Sequence, residues 1–370
     1  MKVYIYYGGL SGYRTILPDD KEDYMPIIDL ALLDDERHRN VKVDIQGRAV
    51  PDNPTPIHFE NVIAFSDDYP SLSESVIESF ANFVFRYDID NLYLQNPPNS
   101  IAKHMKQYGS IQCEVQEQKY NVLGINELKK IKSGFPDAVI GQNMAQQKIL
   151  AALYNVAKRR YNKPCVMLFY GSTGIGKTET AKFIADILHE KLFRKQFSML
   201  HSEEFSSYIF GGKHNQSSLA KELLERESNV ILLDEFDKPH PVFHSAFYQL
   251  FDEGIYEDKN YTVKMEDSII ICTSNYMSEK EIKSALGEPI YSRFDAVIRF
   301  EKLSKDSIER IIEKEYSSEF EKLDEDEQEV IKQSGIHDTI LNLSDQLDNA
   351  RQIRKVIREA ISTILIREFL

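Results

Sequence analysis

An α/β fold is predicted: a parallel sheet with helices on both faces, a helical C-terminal domain, and a separate small N-terminal α/β domain. Three observations predict it. Between about residues 137 and 300, short and nearly continuous apolar runs alternate with helical stretches, the pattern of strands buried on both faces. Residues 304–370 keep only helical periodicity. The first 130 residues carry their own alternation of strand-like and helix-like segments. The expected domains are therefore 1–130, 131–302 and 303–370.

In the first block, Met-Lys-Val-Tyr-Ile-Tyr-Tyr at the start alternates like a strand, and Val41–Ile45 and Val62–Phe65 read as two more. Ser71–Tyr87 reads as an amphipathic helix with Leu72, Val76, Phe80 and Phe83 on one face. Asn91–Leu94, a helix after Pro97-Pro98, and Ile111–Val115 continue the alternation. Acidic side chains outnumber basic ones through this block, which disfavours DNA binding. The Gly8-Gly9-x-x-Gly12 loop reads as a turn.

In the second block, strands are expected at Val166–Tyr170, Phe197–Leu200, Val230–Leu233, Ser268–Cys272 and Ala296–Phe300. In the third, Ser304 is placed to cap a helix bearing Ile308, Ile311, Ile312 and Tyr316. Asp348 is placed to cap another with Ile353, Val356, Ile357, Ala360 and Ile364 on one face. The acidic stretch Asp324–Glu329 between them reads as solvated surface.

Composition bounds the function. A chain of 370 residues has room for two or three domains, and its 11% aromatic content argues against disorder. The net charge of −14 disfavours a general nucleic-acid surface. Cys165 and Cys272 lie in apolar strand-like runs and, with Cys113, read as neither a disulfide framework nor a metal set. No signal-peptide pattern and no apolar run near the roughly 20 residues of a membrane span is found, so a cytoplasmic location is expected.

The chemistry begins at Gly171-Ser-Thr-Gly-Ile-Gly-Lys-Thr178, which spells G-x-x-x-x-G-K-[ST] between an expected strand and an expected helix with Phe183, Ile184, Ile187 and Leu188 at helical spacing. That is the setting of a phosphate-binding loop. Gly171, Ser172, Thr173, Gly174, Ile175 and Gly176 would turn backbone N–H groups onto the phosphates, at the positive end of the helix. Lys177 would reach the β- and γ-phosphates and Thr178 would ligate Mg²⁺. A nucleoside triphosphate with Mg²⁺ is the expected ligand. Farther on, Val230-Ile-Leu-Leu-Asp-Glu235 places two carboxylates at a strand's C-terminal end, the edge where open α/β sheets bind ligands. Asp234 would hold Mg²⁺ through its water shell, and Glu235 would polarise the attacking water. Ile269-Ile-Ile-Cys-Thr-Ser-Asn275 ends at the same edge, where the Asn275 amide could orient that water or touch the γ-phosphate.

These residues resemble the AAA+ ATPases, and within them the Clp-type unfoldase branch, over about residues 137–365, and the resemblance makes the expected nucleotide ATP. Gly171–Thr178 is similar to the family's Walker A motif, Asp234-Glu235 to Walker B and Asn275 to sensor 1. Val139-Ile-Gly-Gln142 resembles the adenine-side segment, which implies adenine contacts for Val139 and Ile140. Tyr291-Ser-Arg-Phe-Asp295 resembles the arginine-finger stretch, making Arg293 that residue. Asn349-Ala-Arg-Gln-Ile-Arg-Lys355 resembles the start of the sensor-2 helix; Arg351 matches, and Asn349 stands where glycine is usual. Charge spreading over the equatorial oxygens in phosphoryl transfer gives both arginines a physical role. Arg351 would sit in a first helical turn, where a cation needs a nearby anion.

Ser207-Tyr-Ile-Phe-Gly-Gly212 occupies the place of the family's client-gripping loop, some two dozen residues before Walker B. The resemblance gives Tyr208 and Phe210 to the client, although Gly211 replaces a bulky aliphatic residue and the preceding loop is short. Phe210 could equally pack into the core at a strand end. His240 and His244 have the i, i+4 spacing of a metal pair, but Pro241 lies between them and no third ligand follows. They read as solvated or core-edge residues. The resemblance implies a ring, a hexamer, acting on a protein client or partner complex; the N-terminal domain, which the resemblance does not cover, is read as the part that selects it. The resemblance implies no dedicated protease partner, because the docking tripeptide is not apparent. Two other readings stay open: a non-threading assembly switch, and a nucleic-acid-associated loader or defence ATPase.

Overall fold

The computed structural model describes residues 1–18, 24–39, 56–108, 112–199 and 202–369. The expected strand Val41–Ile45 lies outside them. The chain divides into two compact units, one of residues 1–120, 200–227 and 255–265, the other of 121–199, 228–254 and 266–370. The first unit thus takes two segments from within the expected nucleotide-binding block, while the C-terminal helices belong with the sheet of the second.

The first unit contains a five-stranded parallel sheet in the order β2-β3-β4-β1-β5. Its strands are β1 (Lys2–Tyr7), β2 (Tyr24–Pro26), β3 (His58–Ala64), β4 (Asp88–Gln95) and β5 (Gln112–Glu117). The helix expected over 71–87 is broken into Glu74–Glu78 and Phe80–Val84. Its apolar face is nonetheless buried at Leu72, Phe80 and Phe83. Ser73 caps the first piece, its hydroxyl accepting from Val76 N–H, and Ser79, at φ −117° and ψ 30°, separates the two pieces while its hydroxyl and N–H both donate to the Ser75 carbonyl.

Segment 200–227 is tied to this unit by polar contacts. Lys221, buried, meets Asp67 at 2.8 Å and Glu225 at 3.6 Å, and Glu225 also accepts from the Ser66 hydroxyl. The Arg226 guanidinium stacks 4.5 Å over the Tyr120 ring. His214 Nε2 lies 2.9 Å from the Leu72 carbonyl.

The second unit is built on β6 (Cys165–Tyr170), β7 (Phe193–Gln196) and β8 (Val230–Asp234). After the antiparallel hairpin β9 (Ile255–Glu257) and β10 (Thr262–Lys264) of the first unit come β11 (Ile269–Ser274) and β12 (Ala296–Arg299). The order β12-β6-β11-β8-β7 is all parallel. Strand β11 therefore lies between the two motif-bearing strands, β6 and β8. Strands β6, β8 and β11 are buried along their whole length, as their apolar runs require. Cys165 and Cys272 are core residues of β6 and β11.

One strand is misplaced by the sequence. Residues 193–196, not 197–200, pair with β8, ending at Gln196 opposite Asp234. Phe197 instead packs 5.9 Å from Phe236 and 5.8 Å from Phe247 in an aromatic cluster. Its hydrophobicity serves a turn rather than a strand. Leu200 lies outside the described residues.

The C-terminal helices close over Ile308, Ile311, Ile312, Ile331, Ile340, Ile353 and Ile357. Ser304 caps Lys305–Phe320 as expected. Asp324 caps Glu325–Gln333, so the acidic stretch is an exposed first helical turn in which Glu325, Asp326 and Glu327 meet the positive end of the helix dipole. The last helix, Ala350–Phe369, is capped by Asn349 rather than Asp348: Asn349 Oδ1 accepts from Gln352 N–H at 2.9 Å. The residue that departs from glycine thus starts the helix.

Candidate functional site

The loop after β6 carries Gly171, Gly174 and Gly176 at φ of +128°, +75° and +109°. All three are required by close approach as well, Gly171 most of all, where a Cβ would sit 2.6 Å from the Phe300 carbonyl oxygen. A Cβ on Gly176 would sit 2.8 Å from Val139 Cγ1, and one on Gly174 2.8 Å from Asn349 Oδ1. Any other residue would have to displace the Phe300 backbone, the Asn349 side chain or the Val139 side chain. The positive-φ glycines turn the loop's backbone at the N-terminus of the helix Lys177–Ile187, an arrangement that suits a phosphate chain.

Lys177 opens the helix Lys177–Ile187 and points back over the loop. Its Nζ donates to the Gly171 carbonyl at 2.5 Å, the Ser172 carbonyl at 2.8 Å and Asn275 Oδ1 at 3.1 Å. The Lys–Asn contact follows from topology: Ser274 ends β11 directly opposite Tyr170 of β6. Thr178, half-buried, comes next on the helix.

Burial pushes the Lys177 ammonium down from its ordinary value to about 8, against the raising influence of Asp234 and Asp237. The unfolded chain binds more protons between that value and the ordinary one, so this group's contribution to stability rises with pH across the window. An anion placed on Nζ reverses the desolvation and draws a proton back on. We expect nucleotide binding at pH 8.5 to take up a substantial fraction of a proton, and affinity to weaken as pH climbs above about 8. Calorimetry in two buffers of different ionisation enthalpy measures this; binding with no proton uptake would contradict it.

Strand β8 delivers Asp234 and Glu235. Asp234 Oδ1 accepts from the Thr273 hydroxyl at 2.5 Å, and Oδ2 accepts from Arg194 at 2.6 Å and 3.2 Å. Glu235 adopts the left-handed φ of +56°, which turns the chain sharply at the end of the strand. Its N–H donates to Thr273 Oγ1 at 2.9 Å, and its Oε2 accepts from Gln196 Nε2 at 3.1 Å.

The C-terminal helices complete the edge. Ala350 N–H donates to the Gly174 carbonyl at 3.0 Å, and Arg351 reaches Thr173 Oγ1 at 3.4 Å. Val139 is buried beside the loop and Ile140 packs into the helical C-terminal core. The Gln142 amide staples this segment, donating to the carbonyls of Ile175 at 3.2 Å and Glu301 at 2.9 Å and accepting from Glu301 N–H at 2.9 Å. Arg194 and Gln196 have no catalytic pattern of their own, and Gln142 and Thr273 enter the sequence reading only as members of quoted segments, so the sequence gives none of the four a role. Only the register of β7 and β11 against β8 brings Arg194, Gln196 and Thr273 onto the carboxylates.

Arg293 points elsewhere among the described residues. Its Nε donates to Asp252 Oδ2 at 2.8 Å, one terminal nitrogen donates to the Pro289 carbonyl at 2.5 Å, and the guanidinium lies 4.3 Å over the Tyr248 ring.

In the first unit, Tyr208 is buried on the helix Ser202–Phe210 and donates its hydroxyl to Glu222 at 2.8 Å. Its ring fills the interior. Phe210 is 42% exposed, which removes the core reading for it. The backbone around it is pinned, since the carbonyls of Ile209, Phe210 and Gly212 accept from Tyr256 Oη, Lys259 N–H and Asn260 Nδ2 at 2.8, 3.1 and 3.1 Å.

His244 is buried against the Phe236 ring, with Nε2 2.9 Å from the Phe236 carbonyl, while His240 caps the turn that follows it. No group of three or more His, Cys, Asp or Glu fit for a metal occurs among the described residues, and no described helix is long and apolar enough to cross a membrane.

The family model described as AAA domain (Cdc48 subfamily) matches residues 162–370. The chain is 30% identical over 258 residues to the mitochondrial disaggregase of Homo sapiens, covering 65% of this chain and 35% of that protein. It is 28% identical over 220 residues to the ATP-dependent Clp protease ATP-binding subunit ClpE of Bacillus subtilis, covering 50% and 32%. It is 26% identical over 298 residues to the chaperone protein ClpB of Mycoplasma genitalium, covering 74% and 41%. The chain spans between about a third and two-fifths of the length of these relatives.

Proposed function

The chain belongs to the AAA domain family (Cdc48 subfamily), and from that premise we propose that it hydrolyses ATP to remodel or unfold protein clients or complexes. One observation carries the hydrolytic part: Lys177 and Asn275 bond to each other beside the loop, while Asp234 and Glu235 are held by the neighbouring Thr273. A loop of positive-φ glycines opening the helix Lys177–Ile187, with the Lys177 ammonium folded back over it, suits a triphosphate. The hard oxygen donors Thr178 and Asp234 suit Mg²⁺, which would neutralise charge building on the phosphates. Lys177 would hold the β- and γ-oxygens, Glu235 would take the proton of the attacking water, and Asn275 would orient that water. Asp234 must exchange its contact with Arg194 for the metal's water shell. Val139 and Ile140 would flank the base, and Arg351 would reach the phosphates from the last helix.

Arg293, held by Asp252 and Tyr248, would serve the site of a neighbouring subunit in a head-to-tail ring, a hexamer by family likeness. Arg293→Ala and Glu235→Gln subunits should each be inactive alone. Mixing them should restore part of the activity, because some interfaces then pair an intact Glu235 with an intact Arg293. A mixture that stays dead, or a fully active monomer, would remove the trans role.

The client side rests on family likeness and on Phe210, an exposed aromatic presented on pinned backbone. The N-terminal domain would select the client or partner complex, with no dedicated protease implied. Stimulation of ATP hydrolysis by a permanently unfolded protein tests this directly. Stimulation by DNA alone would point to a nucleic-acid role, and indifference to both would point to an assembly switch.

A further inference from the structure

Regular pairing between β8 and β11 ends at Leu233 opposite Cys272. Beyond it, a single residue of β11 takes over three successive residues of the motif chain. The Thr273 hydroxyl donates to Asp234 Oδ1 at 2.5 Å and accepts from Glu235 N–H at 2.9 Å. Its carbonyl accepts from Phe236 N–H at 2.9 Å. Thr273 is 2% exposed, so water does not compete for these bonds. Glu235 meanwhile sits at φ +56°, a conformation that persists in a non-glycine residue only where the surroundings over-determine it.

We propose that Thr273 is the positioning residue of the hydrolytic site, its hydroxyl fixing the orientation of the Asp234 carboxylate and the left-handed turn that aims Glu235. The hydroxyl is used in both directions at once, as donor to a carboxylate oxygen and acceptor from a backbone N–H. A β-branched side chain supplies it from one stiff rotamer. Valine has the same shape and can do neither; serine can do both. Arg194 also reaches Asp234, but it touches neither Glu235 nor the turn and its side chain is 45% exposed. The role of setting the two carboxylates relative to each other falls to Thr273.

The proposal rests on Asp234 and Glu235 being the hydrolytic pair, so Glu235→Gln is measured beside the Thr273 variants. For Thr273→Val we expect kcat to fall by about 10²-fold, with nucleotide affinity measured without metal staying within about 3-fold of wild type. Mg²⁺ should bind the nucleotide-loaded variant more weakly, read by Mn²⁺ resonance on the complex. Thr273→Ser should return kcat to within about 5-fold of wild type. If Thr273→Val does not fold, Thr273→Ala against Thr273→Ser makes the same comparison. The positioning role is overturned if Thr273→Val keeps kcat within about 3-fold, or if Thr273→Ser is as slow as Thr273→Val. A metal-free affinity that falls together with kcat also overturns it, since that is general collapse of the site. A Glu235→Gln variant that turns over normally sinks the underlying reading; a dead Glu235→Gln with an active Thr273→Val sinks only the role of Thr273.

Discussion

Glu235→Gln should bind ATP as wild type does and hydrolyse it about 10²–10⁴-fold more slowly. The carboxylate accepts from Gln196 Nε2, and the backbone at 235 is held through its N–H by Thr273. Glutamine preserves both contacts, because its carbonyl oxygen still accepts from Gln196 and its N–H is unchanged. What it loses is basicity. The expected slowing corresponds to about 3–5 kcal/mol of transition-state stabilisation at 1.36 kcal/mol per tenfold. A fluorescent-nucleotide titration and a steady-state phosphate-release assay on one preparation measure the two halves. Turnover near the wild-type rate would place the base at another residue.

Lys177→Ala should lower ATP affinity by at least about 10²-fold, the scale on which losing one partner of a buried charged contact costs 2–5 kcal/mol. The fold should not suffer in proportion. Lys177 bonds two loop carbonyls and Asn275, and its burial works against its charge. Removing the ammonium therefore also removes a desolvation penalty. Thermal unfolding should show the free variant melting within a few degrees of wild type, while the ATP-induced rise in Tm disappears. A variant that keeps its ATP-induced rise would show that the loop holds phosphate without its lysine. A variant that is unfolded at room temperature would assign Lys177 a structural role instead.

Some parts of this protein are legible residue by residue. Gly171–Thr178 demands positive-φ glycines and a following helix whatever surrounds it. The apolar runs of β6, β8 and β11 leave no choice but burial on both faces. Asp234 and Glu235 follow because carboxylates directly after such a run must emerge at the sheet's edge. The isoleucine stripe of the last helix states its own inward face.

Where local signals compete, the sequence misleads. Phe197 looks like strand and belongs to an aromatic cluster, and the helix that one apolar stripe promises starts only at the Ser73 cap and is divided at Ser79. Asp348 and Asn349 are both good caps, and the contact of Asn349 with the Gly174 loop accompanies the choice of the second. Tyr208 and Phe210 share one helix turn, yet only three-dimensional packing buries the first and exposes the second.

By itself the sequence determined the nucleotide cradle, the carboxylate pair and the parallel sheet that carries them, because glycine conformations, apolar runs and strand ends are local properties. Tertiary structure alone decided that Thr273, Arg194 and Gln196 attend those carboxylates, that Gln142 staples the loop, and that segment 200–227 is tied to the N-terminal unit. The reason is physical. A hydroxyl, an amide or an ion pair has no periodicity to betray its partner, and its contact is set by strand register and by chain ends that meet only after the sheets have formed.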